Sequence, residues 1–238
     1  MNPLCAEIKP PLSGENWAIK AETYAVLISE HLNTNSIWLD AGCGCRLLEE
    51  DLDSLEDWLI HRCRLIIGLD VTVARHRNIN LLVSGSLYTL PFPDNSLDLV
   101  TCNMVVEHLQ NPVAAFTEIA RCLKRSGAFI LRTPNLLNYG IMANAIASKA
   151  MPEKWRLRLV HGTDGREPED FFPVRYKANT MRSLMRLLKS SGLEVHRTSA
   201  LRQCRPYFRW SKGLERILMK LTPTSALLVC AHKKATRG

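Results

Sequence analysis

Trp38-Leu39-Asp40-Ala41-Gly42-Cys43-Gly44-Cys45-Arg46 is the stretch on which the reading of this chain turns. It continues an apolar run and sets an acid, Asp40, just ahead of two alternate glycines. Glycines at this spacing let the backbone turn sharply out of a strand and approach a ligand closely, where a Cβ would clash. The acid narrows the choice of ligand. A pyrophosphate laid on such a turn would be repelled by the Asp40 carboxylate, whereas ammonium and sulfonium groups would be attracted. Leu47 also stands where the third glycine of a dinucleotide fingerprint should fall, so a nicotinamide oxidoreductase is disfavoured.

Working outward, strand-like and helix-like apolar patterns alternate. Residues 16–33 read as a helix, 36–40 as a short strand, and 47–61 as a helix rich in acids. Residues 64–70 (Arg-Leu-Ile-Ile-Gly-Leu-Asp) read as a second strand ending in an acid, with further strands at 80–84 and 96–103. Val113, Phe116, Ile119, Ala120 and Leu123 recur at helical spacing over 112–124, with Asn111 as cap and Pro112 at the first helical position. Lys124-Arg-Ser-Gly127 supplies the stop before a strand at 128–132. Strands separated by helices of this length imply right-handed crossovers and a mostly parallel sheet. The alternation breaks over 135–178, read as an insertion within a single domain of residues 1–238. It resumes with a capped helix at 179–190, a strand near 193–197, a basic helix at 212–221 and a final strand at 226–232.

Composition removes several classes. At 46% hydrophobic and 23% charged residues the chain is an ordinary globular one. The start, Met1-Asn-Pro-Leu-Cys-Ala-Glu7, lacks the basic-then-apolar layout of a signal peptide, and no apolar run of about 18 residues is present to cross a membrane. The eight cysteines form no CxxC pair, and Cys43-x-Cys45 is poor metal-ligand spacing. Buried free thiols in a reducing compartment, hence a cytoplasmic location, are expected. Charge is unevenly spread: residues 1–120 carry 7 Lys/Arg against 16 Asp/Glu, and residues 121–238 carry 24 against 7. The basic half is read either as a solvated surface or as attraction to an anionic partner.

Asp70 lies 26 residues past Gly44, somewhat beyond the usual interval of about 20 to a ribose-binding acid, and can accept hydrogen bonds from both ribose hydroxyls. Three further segments accompany it. They are Leu90-Pro-Phe-Pro-Asp-Asn-Ser-Leu-Asp-Leu-Val100, Asn103-Met-Val-Val-Glu-His-Leu109 and Glu118-Ile-Ala-Arg-Cys-Leu-Lys-Arg-Ser-Gly127. Together with the glycine turn, these segments resemble the class I S-adenosylmethionine-dependent methyltransferases, specifically the small-molecule branch called methyltransferase domain 11. The likeness covers roughly residues 16–135 in order, and the stretch from Tyr176 to Gly192 is similar to the helix that follows the insertion in such enzymes.

The resemblance implies a Rossmann-like α/β class I methyltransferase fold, with a mostly parallel seven-stranded sheet and helices on both faces. It implies S-adenosyl-L-methionine as cofactor. Asp40, Gly42, Cys43 and Gly44 would line its methionine moiety, Asp70 would hold the ribose, and Leu69 or Val71 would flank the adenine. The family often places an acid in the turn at 85–87; here Ser86 stands there, a weaker acceptor, so adenine recognition would rest on backbone groups and Leu87. Asn103 and Met104 would lie beneath the sulfonium. The usual third glycine is replaced by Cys45-Arg46. These departures leave a non-catalytic cofactor-binding protein as an alternative.

Methyl transfer asks mainly for alignment, and a base helps only where the acceptor must lose a proton. His108, after Glu107, is the candidate base; a helix-start histidine bonded to backbone is the other reading. The ubiquinone-type O-methyltransferases hold a metal with a similar Glu-His pair and an earlier Glu. That earlier position is Met104, so no metal is expected.

The acceptor is expected to be a small or carrier-linked molecule, methylated at oxygen. Tyr139, Trp155, His161, Phe171, Phe172 and Tyr176 would build its pocket or the insertion's own small core. Basic residues over 149–158, including Lys154-Trp-Arg-Leu-Arg-Leu159, are similar to an interfacial or anion-facing helix, which would permit peripheral membrane contact. A nucleic-acid methyltransferase is the other enzymatic alternative. It is disfavoured because Asn103-Met-Val-Val replaces the Asn/Asp-Pro-Pro-aromatic run of base N-methyltransferases, and no aromatic-interleaved basic stripe stands out.

Overall fold

The computed structural model describes residues 18–48, 52–73, 75–79, 81–150, 173–201, 217–218, 220–222 and 224–234. Their elements run α1 (Ala18–Ser29), β1 (Ile37–Ala41), α2 (Asp53–Ile60), β2 (Leu65–Asp70), β3 (Leu81–Ser84) and β4 (Leu97–Asn103). A 3₁₀ turn (Val106–His108), α3 (Pro112–Cys122), β5 (Leu123–Pro134), α4 (Tyr139–Ala150), α5 (Met181–Ser190), β6 (Leu193–Leu201) and β7 (Ala226–Lys233) follow. The strands form one seven-stranded sheet in the order β3-β2-β1-β4-β5-β7-β6. Strands β1 to β5 pair in parallel, and β7 runs antiparallel to both β5 and β6. This is the Rossmann-like class I arrangement that the sequence implies.

Successive residues of the inner strands face opposite sides, so each strand feeds two cores. Leu39, Val100, Phe129, Leu131 and Val229 join Phe116 and Ile119 of α3 and Leu184 and Leu188 of α5 on one face. Trp38, Leu99, Ile130, Leu228 and Cys230 join Tyr24 and Ile28 of α1 and Leu55 and Leu59 of α2 on the other. Burial on both faces explains why these strands read as continuous apolar runs.

The segments that carry the family resemblance are tied to one another. Arg121 of α3 bonds Glu118 (2.9 Å), Asp94 (2.6 Å) and the carbonyls of Leu90 and Phe92, while the Leu90 amide donates to Glu118. Asn111 caps α3 by accepting from the Ala114 amide.

Three boundaries differ from the sequence pattern. The second helix begins at Asp53 rather than at 47, because the Leu48 amide is held by the buried Glu56 carboxylate at 3.1 Å. Strand β5 begins at Leu123, which leaves α3 directly in extended conformation and pairs with Leu97. Lys124–Gly127 are then taken up by a register shift instead of ending the helix. Helix α5 is capped by Thr180 rather than Asn179. Residues 151–172, the middle of the expected insertion, and most of the expected basic helix at 212–221 lie outside the described residues.

Phe116 is fully buried, with its ring 5.8 Å from that of Phe129 across the α3–sheet interface. Phe116→Ala is expected to lower unfolding stability by about 3–5 kcal/mol in a denaturant titration, the usual cost of emptying a buried aromatic site.

Candidate active site

Strand order reverses between β1 and β4, and in an open parallel sheet the crevice beyond the carboxyl ends at such a point receives ligands. The chain leaves β1 through Gly42 and Gly44, with φ of +79° and +52°. The Gly42 amide donates to the Leu69 carbonyl at 2.7 Å, pulling the turn over the end of β2. A Cβ on Gly42 would fall 2.3 Å from Val105 Cγ2, so side-chain space at this turn is already taken. Glycine is required both by conformation and by this close approach.

Beyond these strand ends lies a cavity of about 370 Å³ lined by Gly42, Asp70, Val71, Ser86, Leu87, Tyr88, Met104, Val105, His108 and Leu109. Its size is that of a small-molecule site, and its lining is mostly apolar with few polar groups. Val71, Met104 and Tyr88 are 55%, 42% and 36% exposed and so present apolar surface on the cavity wall. Asp70 brings the carboxylate. One of its oxygens accepts the Gly44 amide at 3.0 Å, leaving acceptor capacity for hydroxyl groups of a ligand. Met104 has φ +59°, a left-handed conformation uncommon for a non-glycine residue, and its amide is fixed on the Arg132 carbonyl.

Seven of the residues singled out in the sequence therefore meet at one cavity: Gly42, Asp70, Val71, Ser86, Leu87, Met104 and His108. Four do not line it. Asp40 is 4% exposed and is held within the sheet, opposite Thr101 of β4, whose hydroxyl donates to it at 2.6 Å. Cys43 is 3% exposed and packs beside Gly68 of β2, where burial pushes its thiol up to about 12. Gly44 contributes its amide to Asp70 instead of to the cavity wall. Asn103 turns to the Leu47 carbonyl at 3.3 Å, and its buried side-chain oxygen lacks a hydrogen-bond partner.

Tyr88, Val105 and Leu109 line the cavity without having been singled out. Tyr88 is anchored because its hydroxyl accepts the amides of Gln110 and Asn111. Its sequence signal was slight: an aromatic residue two positions past Ser86, in the same turn. Of the six aromatic and histidine candidates for an acceptor pocket, only Tyr139, which is buried, and Tyr176 belong to the described residues.

Next to the cavity, Glu107 is 3% exposed and accepts the Thr133 hydroxyl at 3.0 Å. Burial pushes its carboxyl up to about 7. The His108 Nε2 lies 4.0 Å from Glu107 Oε1, and its Nδ1 lies 3.4 Å from the Pro173 carbonyl. A histidine and a carboxyl that titrates near neutrality thus stand side by side at the cavity. The described residues bring no cluster of metal-ligating side chains to it.

Comparison with known proteins bears on the family and the fold. Residues 39–131 match the family described as "Methyltransferase domain". The uncharacterized methyltransferase C1B3.06c of Schizosaccharomyces pombe is 35% identical over 80 residues, covering 34% of this chain and 29% of the relative. A Mycolicibacterium smegmatis protein named "Probable S-adenosylmethionine-dependent methyltransferase" is 31% identical over 137 residues, 55% of this chain and 50% of the relative. The chain thus spans half or less of the length of these curated relatives. The crystal structure of YcgJ from Bacillus subtilis superposes with a TM-score of 0.58 over 90% of this chain and 99% of that one, at 15% identity. Residues 39–131 thus carry a methyltransferase-domain match, on a sheet arranged as in class I methyltransferases. The relatives named for their cofactor are S-adenosylmethionine-dependent methyltransferases, to which this chain is similar over about half of its length.

The cavity fits that cofactor. A carboxylate with spare acceptor capacity suits a ribose, and exposed apolar walls suit an adenine.

Burial also pushes the Asp40 carboxyl up to about 7, against the Thr101 hydrogen bond. A raised acid favours the folded state fully only below its unfolded value near 4, and that contribution is lost as pH rises through about 7. Asp40→Asn keeps an oxygen for the Thr101 hydroxyl. Its stability relative to wild type is expected to rise by on the order of 3 kcal/mol between pH 4 and 8, measured by denaturant titration at each pH.

Proposed function

We propose that the protein transfers the methyl group of S-adenosylmethionine to an oxygen of a small or carrier-linked acceptor of glycan, lipid or secondary-metabolite type. The observation that carries this reading is Asp70 on the wall of an otherwise largely apolar cavity at the switch point of a methyltransferase domain. Asp70 accepts hydrogen bonds from the ribose hydroxyls while it also holds the Gly44 amide. Val71 and Leu87 cover the adenine. Ser86 already accepts the Tyr88 amide at 3.2 Å, so the adenine amine is read mainly by backbone groups. Gly42 admits the methionine moiety, Asp40 supports the turn from within the sheet through Thr101, and Met104 lies under the sulfonium with Asn103 behind it.

The cofactor supplies a methyl group already activated on sulfur, which leaves the protein to align the acceptor. His108 takes the proton of the acceptor hydroxyl, and the neighbouring Glu107 stabilises the imidazolium that results. The segment 135–178 is assigned to acceptor binding within a single domain of residues 1–238. An anionic acceptor suits the 24 Lys/Arg against 7 Asp/Glu of the second half. Among the described residues no helix is long and apolar enough to cross a membrane, so a lipid-linked acceptor would be met from its surface.

Isothermal calorimetry with S-adenosylmethionine tests the cofactor assignment. Asp70→Ala is expected to weaken binding by about 1–3 kcal/mol, the worth of charge-assisted hydrogen bonds, and unchanged affinity would remove Asp70 from the site. His108→Ala should slow transfer of isotope-labelled methyl by about 10²–10⁴-fold without altering cofactor affinity. An unaltered rate would make this histidine structural.

A further inference from the structure

The α1/α2 face of the sheet carries a second group of reactive side chains, away from the cavity. His31 follows the end of α1, while Cys230 and His232 stand two residues apart on β7 and so share a face. His232 pairs with Ala128 near the amino end of the parallel run of β5, whereas the cavity lies beyond the carboxyl ends. One nitrogen or sulfur atom from each of the three residues lies within 4.8 Å of the other two. Cys230 is fully buried, and both histidines are partly buried.

The orientation of the imidazoles is informative. His31 Nδ1 lies 2.9 Å from the Leu27 carbonyl, and His232 Nδ1 lies 3.3 Å from the Gly127 carbonyl. A carbonyl only accepts, so each Nδ1 carries a proton and each neutral ring keeps its lone pair on Nε2. Both Nε2 atoms face the same sulfur, at 3.6 Å for His31 and 4.0 Å for His232. A thiol has one proton and can satisfy one of these acceptors. A cation bound by the thiolate satisfies both.

We propose that His31, Cys230 and His232 form a binding site for a zinc ion, distinct from the methyl-transfer site. Zinc–nitrogen and zinc–sulfur bonds of about 2.0 and 2.3 Å at a tetrahedral angle place N and S about 3.6 Å apart, close to both separations seen here. Imidazole and thiolate together select borderline-soft metals such as zinc over magnesium or calcium. The hydrogen bonds from Nδ1 to backbone carbonyls fix ring orientation, as the outer partners of zinc-bound histidines do. The charged neighbour opposite Cys230, Arg197, is engaged by Glu30 at 2.9 Å, which offsets the positive charge it would otherwise present. His196 occupies the register shift between Val195 and Arg197 and sets its ring edge-on to His232, with centroids 5.3 Å apart. Three protein ligands leave the fourth position to water. The ion would tie the end of α1 to β7, which is a structural role.

Titration of the chelator-treated full chain with cobalt(II), used as a spectroscopic stand-in for zinc, tests the site. A near-ultraviolet sulfur-to-cobalt charge-transfer band that saturates at a single equivalent and is abolished by added zinc is the expected result. Cys230→Ser should abolish the band. His31→Gln and His232→Gln should each weaken cobalt binding by about tenfold or more while leaving the near-ultraviolet circular dichroism of the fold in place. The histidine variants decide the matter if Cys230→Ser fails to fold. No band in the wild type, or a band that survives in both histidine variants with unchanged affinity and so belongs to other cysteines, overturns the proposal. Calorimetry with S-adenosylmethionine reads the other site independently.

Discussion

The site depends on a buried chain of hydrogen bonds between β1 and β4. Trp38 Nε1 donates to Thr101 Oγ1 at 2.8 Å, and the Thr101 hydroxyl donates to Asp40 at 2.6 Å. These are the two strands between which the order of the sheet reverses, and from which the chain departs in opposite directions. An aligned polar chain inside an apolar core fixes one register, because slipping β4 by a residue would bury the indole N–H, the hydroxyl and the carboxyl without partners. With that register set, Gly42 falls against Val105, and Met104 takes its left-handed conformation at the end of β4. The cavity is what remains between two strand ends that cannot move relative to each other.

Much of this was legible in the sequence because it follows from periodicity and from residue types with few alternatives. The inner parallel strands appear as apolar runs since both of their faces are buried. Gly42 and Gly44 mark a turn needing positive φ, and Asp70 marks the next strand end. What was not legible is the direction in which short polar side chains at those ends would face. Asp40, Cys43 and Asn103 adjoin cavity residues in the chain, yet alternation along β1 and β4 turns Asp40 and Asn103 toward the α1/α2 face, and Cys43 packs beside Gly68. Tyr88 was missed for the opposite reason: its place depends on amides at 110 and 111, which no local pattern announces. His31 and Cys230 stand 199 residues apart and meet only because β7 inserts between β5 and β6.

The charge asymmetry also changes meaning once the fold is known. Acids of α2 account for part of the negative balance of the first half, and they are engaged locally. Glu56, fully buried, holds the Leu48 amide and the Asn78 side chain. Asp57 grips Arg77 through two hydrogen bonds of 2.7 and 3.0 Å, which keep its carboxyl below the usual range, and Asp53 takes Arg46 at 2.6 Å. The Arg77 amide in turn donates to the Cys45 carbonyl. These acids therefore brace the loop after the glycine turn rather than form a free acidic surface.

Helix α1 connects the two ends of the molecule described above. Tyr24, 2% exposed, lies over the buried acid, and its phenol is pushed up by burial and by the charge of Asp40. Seven residues further on, about 10 Å along a helical path, His31 reaches Cys230 and His232. One helix thus covers a carboxylate that burial makes costly to ionise and, just past its end, supplies an imidazole to the group formed with Cys230 and His232.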